Sequence, residues 1–145
     1  FTVYGPWGRP DMAPMIFTDA IAQGKTIKVF NGGDMQRDFT YVDDIVEGVL
    51  RVAENAPTGG EHRPFYRIFN IGNSKPVQLM SFIREIENAL GKKAILDMYP
   101  MQPGDVKVTY ADTSALEKYQ DYKPNTTLKL GLETFISWYK AFYHI

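Results

Sequence analysis

The stretch that decides the fold runs from Gln36 to Ile45 and reads QRDFTYVDDI. Its centre, Phe39–Val42, has the aromatic and β-branched residues of a half-buried strand. Asp43 or Asp44 can then cap a helix, and Asp44 forms a capping box with Glu47. We favour capping over the alternative of a metal or acid–base role for these two carboxylates. The stretch therefore predicts a short strand that leads directly into a helix.

Arg37 stands immediately before this strand. Its guanidinium is a planar fork of five donors, which suits a phosphate or a carboxylate better than a point charge does. We predict that the strand and helix aim Arg37 into a cleft between two halves of a larger protein, one of which is not in this chain. The alternative is a surface ion pair with Asp38 or Asp34.

The chain on either side reads as alternating strands and helices. Apolar residues after Asp44 recur at helical spacing and form a stripe wide enough to cover a sheet. An apolar run from Tyr66 to Gly72 follows, and a strand after such a helix is typical of a parallel sheet. The other predicted helices span 14–23, 77–90, 113–119 and 128–142, and the other predicted strands span 1–4, 26–30, 94–98 and 106–110. The sequence thus predicts an α/β fold, in which residues 42–72 complete a sheet that is mostly missing.

Turn-forming residues separate two of the predicted strands. Asn31–Asp34 reads NGGD, and asparagine and glycine favour the tight turns that join antiparallel strands. We expect this turn to return strand 26–30 towards strand 39–42 as a hairpin-like pair.

Composition excludes several classes of protein. The 145 residues amount to about one domain, and a formal charge of −1 argues against nucleic-acid binding. The absence of cysteine excludes a disulfide framework and a thiolate metal site, and we expect a cytoplasmic location. No apolar run approaches the roughly 18 residues that a membrane span needs. The chain opens at Phe1 within a strand-like pattern, so we expect a fragment of a longer protein.

Four stretches carry a family resemblance: FTVYGP from Phe1, RDFTYVDDI from Arg37, FNIGN from Phe69 and QPGDVKVTYAD from Gln102. In this order they resemble the C-terminal half of the extended short-chain dehydrogenase/reductase family, the NAD-dependent nucleotide-sugar epimerases and dehydratases. Within that family, WGRPDM from Trp7 is most similar to the UDP-glucuronate 4-epimerases. The resemblance implies that residues 1–145 are the nucleotide-sugar-binding region of a Rossmann-like enzyme whose NAD-binding portion is mostly absent.

The resemblance also implies an activity and partners. The whole enzyme would be an isomerase of carbohydrate metabolism that interconverts UDP-glucuronate and UDP-galacturonate through a 4-keto intermediate, with NAD bound mainly outside this chain. It would form a homodimer, and the isolated chain would be inactive and would self-associate through uncovered apolar surface. The alternatives are another UDP-sugar epimerase, dehydratase or decarboxylase of the family, or a non-enzymatic binding or regulatory module.

The resemblance assigns substrate contacts to separate segments. Arg37 would clamp the diphosphate, and Asp105 would accept hydrogen bonds from the ribose, with a plain Pro-Gly-Asp turn as the alternative. Gln102 stands where many relatives have an arginine, which leaves a neutral hydrogen bond to the phosphates. The uracil would contact backbone groups and a side chain of Lys28, Val29 and Phe30, for which strand packing is the alternative.

The sugar end of the substrate would lie near the start of the chain. Thr2 could donate to the glucuronate carboxylate, and Arg9 could reach that carboxylate or the phosphates. Plain strand and loop positions are the alternatives for Thr2 and Arg9. The resemblance assigns Phe1 to the cofactor.

No residue of this chain is assigned to catalysis or to a metal. Tyr119 and Lys123 have the Tyr-x-x-x-Lys spacing of the family's catalytic pair, but they end a short helix just before Pro124. The family's pair lies on a long helix that precedes the stretch corresponding to FTVYGP. Neither Gly5 and Gly8 nor Gly32 and Gly33 are expected between a strand and a helix, where phosphate-binding glycines lie.

Overall fold

The computed structural model describes residues 1–57, 59 and 65–145, so most of the polar loop expected over 55–64 lies outside the described residues. The described residues form short strands and helices in an α/β order, as predicted. The strands are β1 (Thr2–Tyr4), β2 (Thr26–Phe30), β3 (Gln36–Arg37), β4 (Phe39–Tyr41), β5 (Val77–Gln78) and β6 (Ile95–Tyr99). The α-helices are α1 (Ala13–Ala22), α2 (Val42–Glu54), α3 (Leu79–Leu90), α4 (Ser114–Gln120) and α5 (Leu128–Tyr143).

The strands pair in twos, and the pairing differs from the predicted hairpin. β1 runs parallel to β4, β2 runs parallel to β6, and β3 runs antiparallel to β5. The hairpin prediction is wrong because Asn31–Gly33 forms a 3₁₀ turn rather than a two-residue hairpin loop. Parallel pairing with β6 leaves Ile27 and Val29 of β2 facing the core, where both are buried.

The core lies between these strands and α1, α3 and α5. Phe39 of β4 stacks on Phe82 of α3, with ring centroids 3.9 Å apart and an interplanar angle of 11°. Tyr4 of β1 meets both rings edge-on. The apolar stripe of α3 is entirely buried: Leu79, Phe82, Ile83, Ile86 and Leu90. The α5 stripe is buried likewise through Leu132, Phe135, Ile136 and Tyr139.

The helix α2 follows the strand directly, as predicted, but it begins at Val42, before the predicted cap residues Asp43 and Asp44. Tyr41 is the N-cap residue and no side chain caps it, so the capping box of Asp44 with Glu47 is wrong. Asp43 and Asp44 lie in the first turn instead, where their negative charges interact favourably with the helix dipole and stabilise the helix. Asp44 is buried because its Oδ2 turns inward and accepts a hydrogen bond from the Thr126 backbone N–H at 3.1 Å.

The predicted strands 66–72 and 106–110 are not regular strands. Residues 66–72 form no ladder, and Tyr66 and Ile68 are exposed, because no strand among the described residues lies beside them to complete their hydrogen bonds. Residues 106–110 contribute one isolated bridge, from Val108 to Gln36. None of the helices in the described part of the chain has both the length and the apolarity needed to cross a bilayer.

Candidate functional site

A cleft of about 740 Å³ opens beside β1, β2 and β3. Its floor is apolar and consists of core side chains of α1 and β4, including Phe17 and Phe39. Its polar groups come from five separate segments of the chain. The predicted site residues that line it are Thr2, Lys28, Phe30, Arg37, Gln102 and Asp105. The fold therefore brings six of the proposed substrate contacts to one cavity.

Arg37 lies at the polar wall of the cleft. Its Nη2 forms an ion pair with Asp105 Oδ1 at 2.7 Å, and the two side chains are 18% and 31% exposed. Its Nη1 donates to the backbone carbonyls of Gln36 and Lys107 at 2.9 and 3.4 Å. The predicted alternative partners are wrong, because Asp34 pairs with Lys107 and Asp38 is buried. Two predicted substrate residues thus bind each other.

Asp105 is held in a tight turn. Its N–H donates to the Gln102 carbonyl at 3.1 Å, and its Oδ1 accepts from the Val106 N–H at 2.9 Å. Gly104 within this turn has a φ of +83°, a backbone conformation that glycine adopts at no steric cost. The turn therefore presents both Gln102 and Asp105 to the cleft while fixing the carboxylate near Arg37.

Asp38 organises this wall, although sequence analysis gave it only the alternative role of an ion-pair partner. Its Oδ2 accepts hydrogen bonds from the N–H groups of Ser74 and Ala111, each at 3.0 Å, and its own N–H donates to the Thr109 hydroxyl at 3.1 Å. Thr40, two residues on, accepts from the Asn73 N–H at 3.0 Å. The alternation of polar Asp38 and Thr40 with aromatic residues was the signal, because it gives a buried strand one polar face.

The far end of the cleft is aromatic. The Lys28 ammonium lies 5.4 Å from the Tyr99 ring centroid, and Phe30 packs against the same ring at 5.8 Å. Val29 does not line the cleft, and its side chain is fully buried in the core. The predicted contact of Val29 with the uracil therefore stays a prediction.

Three predicted residues lie near the start of the chain. Thr2 is half-buried in β1 and lines the cleft, whereas Phe1 is exposed. Arg9 lies outside the lining and forms a 2.5 Å ion pair with Asp11, which does line the cleft. The hydrogen bond from Arg9 lowers the pKa of the Asp11 carboxyl, although both groups are exposed. The structure therefore leaves Arg9 at the margin of the site.

The Tyr119 and Lys123 side chains point to separate partners. The Tyr119 hydroxyl donates to the Asn55 carbonyl at 2.7 Å, and the Lys123 ammonium pairs with Glu117 at 3.0 Å. Their arrangement is that of a surface helix end, and their exclusion from catalysis stays a prediction.

The glycines near the cleft are packing positions. Contrary to the prediction, Gly5 and Gly8 do lie between a strand, β1, and a helix, α1. A Cβ at Gly5 would lie 2.5 Å from Cγ1 of Val42, so this loop packs closely on α2 instead of opening as a phosphate cradle. Met80 fills the space at Gly33 in the same manner, since a Cβ there would lie 2.7 Å from its Cγ and Sδ.

Comparison with known proteins assigns the chain to a family. Residues 1–72 match the NAD dependent epimerase/dehydratase family. This chain belongs to that family. The match includes β1, the Arg37 strand and all of α2, and it ends at Gly72.

Characterised and solved relatives extend the likeness over the whole chain. A probable UDP-glucuronate 4-epimerase of Rhizobium meliloti is 43% identical over 99% of this chain and 46% of its own length. UDP-glucuronate 4-epimerase 4 of Arabidopsis thaliana is 44% identical over 99% of this chain and 35% of its own length. The crystal structure of UDP-glucuronic acid 4-epimerase from Bacillus cereus, in complex with UDP-glucuronic acid and NAD, superposes with a TM-score of 0.86 at 32% identity. It is matched over 99% of this chain and 44% of the solved chain. The chain thus spans less than half the length of these relatives.

Proposed function

We propose that this chain is the nucleotide-sugar-binding region of an NAD-dependent epimerase that interconverts UDP-glucuronate and UDP-galacturonate. The observation that carries the proposal is the cleft, where an arginine, a carboxylate, an amide and an aromatic end from distant segments surround one cavity of about 740 Å³. This volume lies within the range of about 300 to 1,000 Å³ that is usual for small-molecule sites.

Arg37 is the proposed clamp for the diphosphate. It is permanently charged and partly buried, and its planar fork can give two parallel hydrogen bonds to phosphate oxygens. Gln102 adds a neutral donor beside it. Asp105, on the same turn, accepts hydrogen bonds from the ribose hydroxyls next to the diphosphate.

The remaining contacts extend to either side of the diphosphate. At the aromatic end, the backbone of Lys28 and the ring of Phe30, which both line the cleft, hold the uracil. The backbone of Val29, which lies between them in the chain, is assigned to the uracil as well. At the other end, Thr2 donates to the sugar carboxylate, and Arg9 reaches the carboxylate or phosphate by exchanging Asp11 for the ligand. In this orientation the residues of this chain bind and position the substrate but carry no step of the chemistry.

NAD is the proposed cofactor and would supply the hydride chemistry of the reaction. Gly5 and Gly33 do not form an open cradle for its pyrophosphate, since the space at these two glycines is filled by Val42 and Met80. We therefore assign NAD mainly to parts of the protein outside this chain, with Phe1 as a contact from this one. The catalytic tyrosine and lysine are assigned outside it as well, so this chain alone should be inactive.

The exposed face of α2 supports a further element of the proposal. Val46, Val49 and Leu50 are each about half exposed, and Tyr66 and Ile68 of the following segment are more exposed still. We assign residues 42–72 to the edge of a Rossmann sheet that the rest of the enzyme completes. In its absence this surface would drive self-association of the chain.

Binding of UDP to the chain tests the central assignment. Isothermal titration calorimetry should detect UDP binding, and Arg37→Ala should weaken it by about tenfold or more because a charge-assisted pair is lost. The matched control is Arg51→Ala, which removes an arginine from a 2.6 Å ion pair with Glu47 on α2, away from the cleft. Equal losses in both variants, or no binding by a folded wild-type chain, would contradict the proposal.

Another UDP-sugar is the second candidate substrate. The protein MoeE5, 27–28% identical to this chain, has been solved with UDP-glucuronic acid and with UDP-glucose, each together with NAD. Titration of UDP-glucuronate and UDP-glucose into the same chain separates the two. Tighter binding of UDP-glucose would favour the second candidate, while comparable loss of both on Arg37→Ala would leave the diphosphate assignment intact.

A further inference from the structure

Arg37, one of the two cations that line the cleft with Lys28, is already paired with a carboxylate of the cleft. Arg37 Nη2 lies 2.7 Å from Asp105 Oδ1, and both side chains line the cavity and are less than a third exposed. An anion that approaches Arg37 must therefore displace Asp105 or share the guanidinium with it. In either case a second negative charge is brought next to the Asp105 carboxylate.

The consequences differ between two kinds of anion. A bare phosphate or pyrophosphate gives Asp105 nothing in return for Arg37, so the two negative charges repel each other in a partly desolvated site. A ligand with hydroxyl groups beside its diphosphate can donate hydrogen bonds to the displaced carboxylate. That ligand replaces one charge-assisted interaction of Asp105 by another.

The backbone around the pair allows this exchange without unfolding the wall. The Lys107 carbonyl accepts from the Gln36 N–H at 2.8 Å, and the Gln36 carbonyl accepts from the Thr109 N–H at 3.2 Å. The segment that carries Asp105 is thus fastened to β3 directly beside Arg37. Rotation of the Asp105 side chain would release both Arg37 and the Val106 N–H from Oδ1 while this attachment stays in place.

We propose that Asp105 is a specificity-determining residue: its ion pair with Arg37 discriminates against bare phosphate anions and admits diphosphates that carry a neighbouring diol. This inference rests on the proposed function, since it assumes that Arg37 binds the diphosphate. It adds a second role for Asp105: the carboxylate that binds the ribose also disfavours the binding of bare phosphate anions to Arg37.

A second ion pair, which includes Lys107 two residues after Asp105, provides a matched control. Lys107 Nζ pairs with Asp34 Oδ2 at the same 2.7 Å, but both side chains are 60% exposed and neither lines the cleft. Asp34→Asn therefore removes the same charge from a nearby ion pair. It changes the net charge of the chain by the same amount as Asp105→Asn, so a general electrostatic effect would appear in both.

The experiment titrates pyrophosphate and UDP separately into wild type, Asp105→Asn and Asp34→Asn by calorimetry. Asparagine keeps an oxygen that can accept from the ribose and from the Val106 N–H, but it loses the charge that pairs with Arg37. Pyrophosphate should bind Asp105→Asn about fivefold tighter or more, while UDP affinity stays within about threefold. The preference for UDP over pyrophosphate should therefore fall in Asp105→Asn and stay within about twofold of wild type in Asp34→Asn.

Each outcome bears on the inference. If wild type binds UDP and the preference in Asp105→Asn is unchanged, or falls equally in Asp34→Asn, the inference is wrong and the proposed function stands. If wild type binds neither ligand, the proposed function fails and this inference fails with it. Melting temperatures show whether each variant is folded, and Asp105→Ser, which also removes the charge, should show the same fall if Asp105→Asn disturbs the turn.

Discussion

The helices α2 and α3 have the same kind of sequence and opposite surroundings. Both are amphipathic, and they are 13 and 12 residues long. All five stripe residues of α3 are buried in the core, whereas Val49 and Leu50 in the stripe of α2 are each 52% exposed. The buried positions of α2 are instead a carboxylate, Asp44, and a glycine, Gly48.

The two helices are therefore held by different interactions. Apolar packing against β4 and α5 holds α3, and its stripe faces partners within this chain. Polar contacts on the opposite side hold α2: Asp44 Oδ2 accepts from Thr126, and the Tyr122 hydroxyl donates to the Asp44 carbonyl at 2.7 Å. Burial, with the charge of Asp44 as a lesser cause, raises the pKa of Tyr122 to about 12, so its hydroxyl keeps the proton that it donates. The difference shows that an apolar stripe specifies a helix and a face but not what covers that face.

The largest expected effect is a cavity in the α3 face. Phe82→Ala should lower the free energy of unfolding by about 3 to 5 kcal/mol, because Phe82 is fully buried and stacked on Phe39. Val49→Ala, at the corresponding kind of position in α2, should cost less than about 1 kcal/mol. Urea unfolding measures both free energies, provided that the dependence of the unfolding free energy on urea concentration is the same in each variant. Similar losses for the two substitutions would contradict the difference proposed between the helices.

A smaller effect is expected from the polar anchor of α2. Asp44→Ala leaves the part-buried N–H of Thr126 without its acceptor and should cost about 1 to 3 kcal/mol of unfolding free energy. Asp44→Asn, which retains an oxygen acceptor, should recover most of this loss. Asp43→Ala is the control in the same helical turn, and as an exposed residue it should cost no more than about 1 kcal/mol. Equal losses of unfolding free energy at Asp44 and Asp43 would show that the interaction with the helix dipole, and not the hydrogen bond to Thr126, accounts for the effect.

A substitution on the exposed face of α2 should have the smallest effect on stability. The same substitution should have a clear effect on self-association of the chain. Leu50→Lys should change the free energy of unfolding by no more than about 0.5 kcal/mol. We expect the wild-type chain to self-associate through this face and Leu50→Lys to sediment as a monomer. Leu130→Lys, at 56% exposed on α5, is the matched control and should sediment as wild type does. A monomeric wild type in sedimentation velocity would remove this surface from the proposal.

Much of the fold follows from local patterns in the sequence. The stripe of α3 and its stop at Gly91, whose φ is +72°, follow from helical periodicity and from the freedom of glycine at a helix end. The pairing of β2 was not predictable from the turn residues. Its partner β6 lies more than sixty residues away, and NGGD accommodates a 3₁₀ turn as readily as a hairpin.

The candidate site divides in the same way. Residue types and family resemblance predicted Arg37 and Asp105 individually, and the fold brings both to the cleft. Their mutual ion pair was missed, since residues 68 apart in the chain meet only when β3 and the 102–105 turn are folded together. The role of Asp38 was missed for the same reason, because its partners Ser74 and Ala111 come from two later segments.

The sequence by itself determined the α/β order, the faces of the long helices and the residue types available to the proposed ligand. These depend on backbone propensity and on side-chain periodicity, which act over a few neighbouring residues. Only the tertiary structure decided which strands pair, which apolar stripe is covered and which carboxylate meets Arg37. Those choices depend on hydrogen bonds and ion pairs between segments far apart in the chain, and such contacts leave no periodic signal in the sequence.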